Sequence, residues 1–322
     1  MRDPLGRMHQ PTSTLPHGTM PPRFALRLLP AALALAFSLL ASHLAAQPSG
    51  PGGPANAFAL SEVSSSYSYS SKSDVERNGK LGSVAVSQLE FEAAFSLPAP
   101  ETWRLSSALS WQRTGLDLSG AVPLPDKLER IGVSFMAIKD LAQEIGPGWT
   151  AVARITPSFS SDDGAISGDS FSLFGLAALG KKVSPTFSWQ AGIVGVTRGD
   201  VKVIPMVGVR WLFAPDWELS VGFPRTGVAY QVSEALRLNA GVMVQGGTYY
   251  LSHAPAAGLG HTYLDYREFR AGLGAEYQFS KSFAAVLEGG VTLDRRFDYY
   301  DRNFKLNGDS ATYGRLSLKY RF

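Results

Sequence analysis

ATYGRLSLKYRF, residues 311–322, closes the chain, and its alternation decides the fold. Phe322, Tyr320, Leu318 and Leu316 fall on one side of an extended strand, and Arg321, Lys319, Ser317 and Arg315 on the other, because strand side chains alternate with period two. A soluble sheet can carry that alternation, but it rarely stops on an aromatic residue with a second aromatic two places earlier. Such an ending resembles the closing strand of bacterial outer-membrane β-barrels. The resemblance implies that Phe322, Tyr320, Leu318 and Leu316 serve as the signal read by the barrel-assembly machinery.

The same pattern runs back through the chain. Leu89, Phe91, Ala93, Phe95 and Leu97 oppose Gln88, Glu90, Glu92 and Ser96. Trp103, Leu105, Leu109 and Trp111 oppose Arg104, Ser106, Ser110 and Gln112. Comparable runs occupy residues 201–213, 236–245 and 268–279, and no segment keeps a 3.6-residue period for long. Corners recur between them: PETW at 100–103, PGW at 147–149, PTFSW at 185–189 and PDW at 215–217, with SEAL at 233–236 and SKSF at 280–283 in the same slot. Proline fixes φ for a turn, and the aromatic that follows starts the next strand at headgroup depth, where an apolar ring with a polar handle is favoured.

Six such turns on one side imply an all-β, closed antiparallel transmembrane barrel of fourteen strands. Seven outer loops then fall at residues 72–80, 118–129, 160–168, 198–201, 224–227, 253–264 and 296–310. If residues 218–232 do not make two short strands about Pro224, the count is twelve.

The start of the chain reads differently. Arg23 and Arg27 precede an apolar run at 28–40 (LLPAALALAFSLL), and Ala45 and Ala46 follow, so residues 1–46 read as a cleavable signal peptide for export. An anchoring helix needs about 20 apolar residues, more than this run offers, and Pro30 interrupts it. Met20 leaves room for an over-extended start. Residues 47–60 begin as a Pro/Gly linker (QPSGPGGPAN), and the barrel is assigned to residues 61–322.

Composition sets further bounds. The 30 basic and 27 acidic residues give a net charge of +3. Removing the four arginines and one aspartate of residues 1–46 leaves 26 of each, so the basic balance belongs to the leader and nucleic acid is not an implied partner. The chain has no cysteine, which excludes disulfides and thiolate metal sites. Mean hydropathy is −0.01, as expected of strands that are half apolar.

Further stretches look similar to an uncharacterised family of bacterial outer-membrane proteins known only as a domain of unknown function: LPDKL at 124–128, SSDD at 160–163, VIPMVGVRW at 203–211 and WELSVGFP at 217–224. The likeness covers most of residues 83–322. It implies the outer membrane and a barrel, and brings no catalytic residue.

Function is less legible. Glu90, Glu92, Arg104, Arg210, Arg237, Arg270, Glu276 and Glu288 fall on the lumen side, as do Glu268 and Arg315. Charges of both signs fit a water-filled diffusion channel for a small solute, and equally a lumen filled by paired Arg and Glu. His253 and His261, with Ser252 and Asp265 nearby, leave an enzyme with a loop-borne site as a lesser alternative. Asp162, Asp163 and Asp169 lack the EF-hand spacing, so no metal or other cofactor is expected. Arg295, Arg296 and Arg302 are candidates for lipopolysaccharide phosphates, the other expected partners being outer-membrane lipids.

Overall fold

The computed structural model describes residues 58–322 except Asp200, Val201 and Phe223. The leader at 1–46, and the linker as far as residue 57, lie outside the described residues. Fifteen strand segments follow one another. They are β1 (Ala59–Glu76), β2 (Lys80–Leu97), β3 (Trp103–Gly120), β4 (Lys127–Asp140), β5 (Trp149–Ser161) and β6 (Phe171–Lys182). Next come β7 (Phe187–Val196), β8 (Val203–Ala214), β9 (Trp217–Val221), β10 (Arg225–Gln231) and β11 (Leu236–Leu251). The last are β12 (Thr262–Gln278), β13 (Phe283–Tyr299), β14 (Phe304–Gly308) and β15 (Ala311–Arg321).

From β1 to β14 neighbours in sequence pair antiparallel, and the ring closes where β15 lies between β13 and β1. β14 also lies between β13 and β1, so β14 and β15 share one place in the wall and the barrel has fourteen positions. Closure leaves no free edge at the seam, which is the condition for crossing a bilayer with strands. The twelve-strand alternative falls, because residues 217–231 make two short strands that pair with each other and with their neighbours.

All six turns lie where the corners indicate. Above them the chain departs from expectation. Strands of about ten residues suffice to cross the apolar band, yet β1, β2 and β3 have 18 each and β12 and β13 have 17. The first outer loop, expected at 72–80, shrinks to residues 77–79. The seventh, expected at 296–310, is mostly sheet, with Asp298 paired to Lys305 and Tyr299 to Phe304. Asn78 and Asn303 make these tight turns, with φ of 57° and 50°, values that asparagine tolerates.

The outer surface of the barrel is apolar. Leu109, Ile131, Phe135, Ile155, Ile193, Val207, Leu273 and Leu287 face outward, each roughly half exposed or more. An apolar belt of that extent belongs against lipid. Aromatic rings run along the turn-side rim in contact with one another: Trp149 with Trp189, Trp211 with Phe213, Phe213 with Trp217, Trp217 with Tyr230, Tyr277 with Phe279, and Tyr320 with Phe322.

At the opposite, loop-bearing end the polarity of the faces reverses. Asp265, Arg267, Asp294 and Arg296 point outward, while Val84, Leu128, Leu264, Tyr266, Phe297, Tyr299 and Leu306 pack inside, all but fully buried. The β3–β4 loop folds in to add Val122 and Leu124, and the Tyr299 hydroxyl donates to the Pro123 carbonyl at 2.6 Å. Each such side chain contributes about 1.5–3 kcal/mol by leaving water. The outer end of this part of the wall therefore has a core of its own, which the long strands exist to enclose.

Candidate functional site: a half-filled lumen

Contacts between strands that are not neighbours can form only through the interior, and they show how the lumen is occupied. Glu268 on β12 accepts from Arg270 at 2.8 Å and from Arg295 on β13 at 2.6 Å. All three are 0–1% exposed. Arg295 also donates to Ser70 at 2.6 Å and to Ser73 at 3.0 Å on β1, and Arg270 lies 4.8 Å from the centre of the Tyr313 ring. Gln245 on β11 donates to Gln88 on β2 at 2.7 Å. One carboxylate thus balances two guanidiniums, and serine hydroxyls and an aromatic face serve the remaining donors. Removing a buried charge from water is costly, and such a set is stable only when every donor is answered.

The other charges expected inside are distributed around this set. Glu90 accepts from Arg315 and from Ser66, each at 2.9 Å. Glu288, nearly buried, is paired with Arg225 across the lumen from β13 to β10. Arg210 and Arg237 share Glu218, at 2.9 and 3.2 Å. Register places Glu92, Arg104 and Glu276 on the same inner face, Glu92 and Arg104 being exposed to the lumen and Glu276 partly so.

Two residues of this network were misplaced or passed over by sequence. Arg295, assigned to an outer loop facing phosphates, is instead the most deeply held cation of the lumen. The reason is a bulge: Phe269 pairs with Asp294 and Arg270 with Thr292, so Leu293 is an extra residue and the alternation changes face after it. Glu218 lies in the short strand β9, where too few residues alternate to fix a face. Of the other loop arginines, Arg296 pairs with Asp294 at 3.0 Å, and Arg302 donates to the carbonyls of Gly260 and His261.

Along β5–β10 the lumen is hollow. A cavity of about 520 Å³ runs up the inner wall from the β6–β7 turn to the tip of the β9–β10 hairpin. Thr150, Gln190, Arg210, Ser220 and Arg225 are among its lining residues. Glycine keeps the wall thin here: a Cβ at Gly208 would crowd the Gln190 side chain.

At the outer end β11 runs on beyond β10, whose pairing with it ends at Arg225 and Met243, and, still paired to β12 as far as Leu251 and Thr262, reaches across to β5. Gly246, with φ of 136°, bends the strand, and Tyr250 then pairs parallel with Ser161 on β5. Asp162, nearly buried, secures the crossing by accepting from the Ser252 N–H at 2.9 Å, the Ser252 hydroxyl at 2.8 Å and the His253 N–H at 3.1 Å. Asp163 accepts from the same hydroxyl at 2.8 Å.

The histidine candidates belong to this latch. His253 meets Ser252 Oγ at 3.0 Å and Asp162 at 3.4 Å, both through Nδ1. A relay needs the carboxylate and the hydroxyl on opposite ring nitrogens, and this arrangement puts them on one. His261 pairs with the Tyr250 hydroxyl instead, and Asp265 with Arg267. Asp162, Asp163 and His253 lie close enough to offer three ligand atoms, but their hydrogen bonds already serve the latch. Asp169 is outside that group.

The fold and its interior define a membrane-spanning β-barrel with a lumen filled on one side and hollow on the other. The chain belongs to the family described as Domain of unknown function (DUF6268), whose model matches residues 55–319. Solved structures resemble it distantly. An outer-membrane channel from Pseudomonas putida F1 is 10% identical, covers 85% of this chain and all of its own, and gives a TM-score of 0.46. A FadL homologue from Pseudomonas aeruginosa is 11% identical over 81% of this chain and 90% of its own, at 0.45. The P. putida toluene transporter TodX is 13% identical over 82% and 90%, at 0.39. At these scores the likenesses carry no substrate or mechanism over to this chain. No curated protein matches it.

Proposed function

We propose that this protein is a passive channel of the bacterial outer membrane, embedded among its lipids and lipopolysaccharide and admitting a small solute. The observation that carries the reading is the asymmetry of the lumen. Buried ion pairs and an outer apolar core fill the interior against β1–β4 and β11–β15, while about 520 Å³ stays unfilled against β5–β10. A barrel built only for rigidity gains from packing its whole interior. The hollow side has an inner wall of mixed polarity, with Arg210 and Arg237 held by Glu218 near the turn-side mouth. Those charges would bias the solute by sign while keeping it hydrated.

Planar-bilayer conductance of the refolded chain from Gln47 to Phe322 tests the reading. Discrete and reproducible open-channel steps are the expected result. A folded barrel that stays electrically silent favours the second reading, a structural or surface-interaction barrel with a plugged lumen, which the buried Glu268 network and the crossing of β11 support. A third reading, an enzyme acting from the outer loops, has less support, since Ser252 and the carboxylate meet one ring nitrogen of His253.

A further inference from the structure

We infer that Lys182, Ser188 and Arg210, at the turn-side end of the cavity, form a binding site for a small oxyanion, a carboxylate or a phosphate. The inference names the solute class of the proposed channel, an acidic one, and rests on that reading.

The three stand in one row. Lys182 on β6 pairs with Ser188 on β7, and Ser188 with Arg210 on β8, and all three line the cavity. Trp189 and Trp211, their neighbours along β7 and β8, belong to the aromatic rim outside, so alternation turns the row inward. Adjacent strands lie about 4.8 Å apart, which sets the Lys182 and Arg210 backbones about 10 Å from each other with a serine between. Two long cationic side chains so placed can close on one oxyanion over Ser188.

One step farther from the turns a second row follows: Thr150, Gly180, Gln190 and Gly208 on β5 to β8. Its glycines make room for the polar groups beside them. A Cβ at Gly180 would come within 3.0 Å of Thr150 Oγ1, and one at Gly208 within 2.8 Å of Gln190 Nε2. The hydroxyl and the amide lie along the wall, next to the cations, and leave the middle of the cavity to a ligand.

Charge decides what the ligand is. Among the described residues the lining holds cations and no carboxylate. Lys182 is exposed and has no ion-pair partner among them, and neither Ser188 Oγ nor the Gln190 amide has a hydrogen bond there. Arg210 is 59% exposed and engages Glu218 through Nη2 alone, at 2.9 Å. Glu218 is held in turn by Ser220 and Arg237, each at 3.2 Å, and does not reach the lining. Glu276, the register partner of Arg237, stands farther round the wall and also outside it. Two other cations of the lining are already engaged: Lys181 donates to the Pro147 carbonyl at 2.9 Å, and Arg225 is paired with Glu288.

A guanidinium, an ammonium, a hydroxyl and an amide with their donors uncommitted suit an oxyanion and repel a cation. The planar fork of arginine matches the oxygens of a carboxylate or a phosphate. Glu218 fixes that fork before any ligand arrives, so little freedom is lost on binding. The site stays wet, which keeps binding weak enough for release, as conduction requires.

The absence of cysteine allows a single reporter at the site. Ser188→Cys, refolded in uncharged detergent micelles, would be reacted with an anionic and a cationic methanethiosulfonate reagent of similar size. The ratio of the two rates is then compared with that for free cysteine. It should favour the anionic reagent by about tenfold more, since a charged cleft concentrates counter-ions by that order. Lys182→Gln with Arg210→Gln should return the ratio to that of free cysteine, and Lys182→Gln alone, with no partner to lose, part of the way. Citrate or inorganic phosphate should slow the anionic reagent, and whichever protects at lower concentration identifies the group bound. Equal rates, a ratio that the glutamine variants leave unchanged, or protection by neither anion overturns the site. Thr150→Cys carries the same measurement if the first reporter fails to fold. Conductance separates the two claims. A silent barrel whose reporter is protected keeps the site and removes the channel; ion steps with equal reagent rates do the reverse.

Discussion

Ser161 on β5 and Tyr250 on β11 form a parallel bridge across the outer end of a barrel whose other strand pairings are all antiparallel. The bridge divides the mouth. On one side the strands enclose an apolar core, and on the other the hairpin of β9 and β10 stays low. The crossing is held by side chains of two loops, which makes it accessible to substitution.

Removing Asp162 should release it. Asp162→Ala leaves the N–H groups of Ser252 and His253 without their acceptor, at about 1–3 kcal/mol for each partner left unsatisfied. The expected result is faster proteolytic cleavage within residues 252–261 and larger or noisier conductance steps, with the barrel still folded. Unchanged cleavage and currents would show that the latch does not control the mouth.

Acid should loosen the same latch. Partial burial acts to raise the Asp163 pKa, but hydrogen bonds from the Ala165 N–H, Ser252 and Ser161 outweigh it and hold the carboxyl below its ordinary value. A pKa lowered by folding gives stabilisation that is complete above the unfolded value, near 3.9, and is lost as pH falls through the folded one. A nitroxide on Ile166→Cys should therefore keep its restricted motion at neutral pH and gain mobility below about pH 4. Equal mobility across that range would count against the latch.

Glu268→Gln should destabilise the barrel sharply, because two buried guanidiniums then share no carboxylate. Breaking such a set from one side costs about 3–5 kcal/mol. Urea unfolding in detergent micelles measures this, with the midpoint expected to fall well below that of the unaltered chain. A midpoint within experimental scatter would mean the charges are reached by water.

Arg210→Glu places a second carboxylate beside Glu218 and frees Arg237 from competition. If ions pass this mouth, the preference between cations and anions should move toward cations, read as a shift in reversal potential under a salt gradient. An unmoved potential would place the ion path elsewhere.

Deleting Phe322 removes the ring that packs on Tyr320 at 4.8 Å and a backbone donor to Ser61. Assembly in cells should fall, seen as less folded barrel in the membrane fraction, while refolding in detergent is affected far less. Equal yields in cells would remove the assembly role from residues 316–322.

Periodicity made the wall legible. Outward leucines and valines alternate with inward polar residues wherever lipid lies on one side and water on the other, and proline followed by tryptophan marks four of the six corners. The interior was legible only in part. Glu90, Arg210, Arg237 and Arg270 could be placed by counting, but not all their partners: Arg315 lies more than 200 positions from Glu90, and Glu218, which holds Arg210 and Arg237, sits in a strand too short to show its face. Above the membrane the rule inverts. RFDYYDRNFKLNGDS, residues 296–310, has its apolar residues inside and its charges outside, so it reads as loop although most of it is sheet. The Leu293 bulge changes the face of Arg295, and no count of alternating residues anticipates that.

The seam between β1 and β15 has a kinetic consequence. Glu62 pairs with Arg321 and Ser70 with Tyr313, so the contacts that close the ring are the most distant in the chain. Closing so large a loop is slow, and until it happens two long strands present unsatisfied edges to any neighbour. The dangerous interval in the life of this protein is therefore before closure, when an open sheet can pair with a second unfinished barrel. Whatever chaperones it must shield both edges at once and release them together.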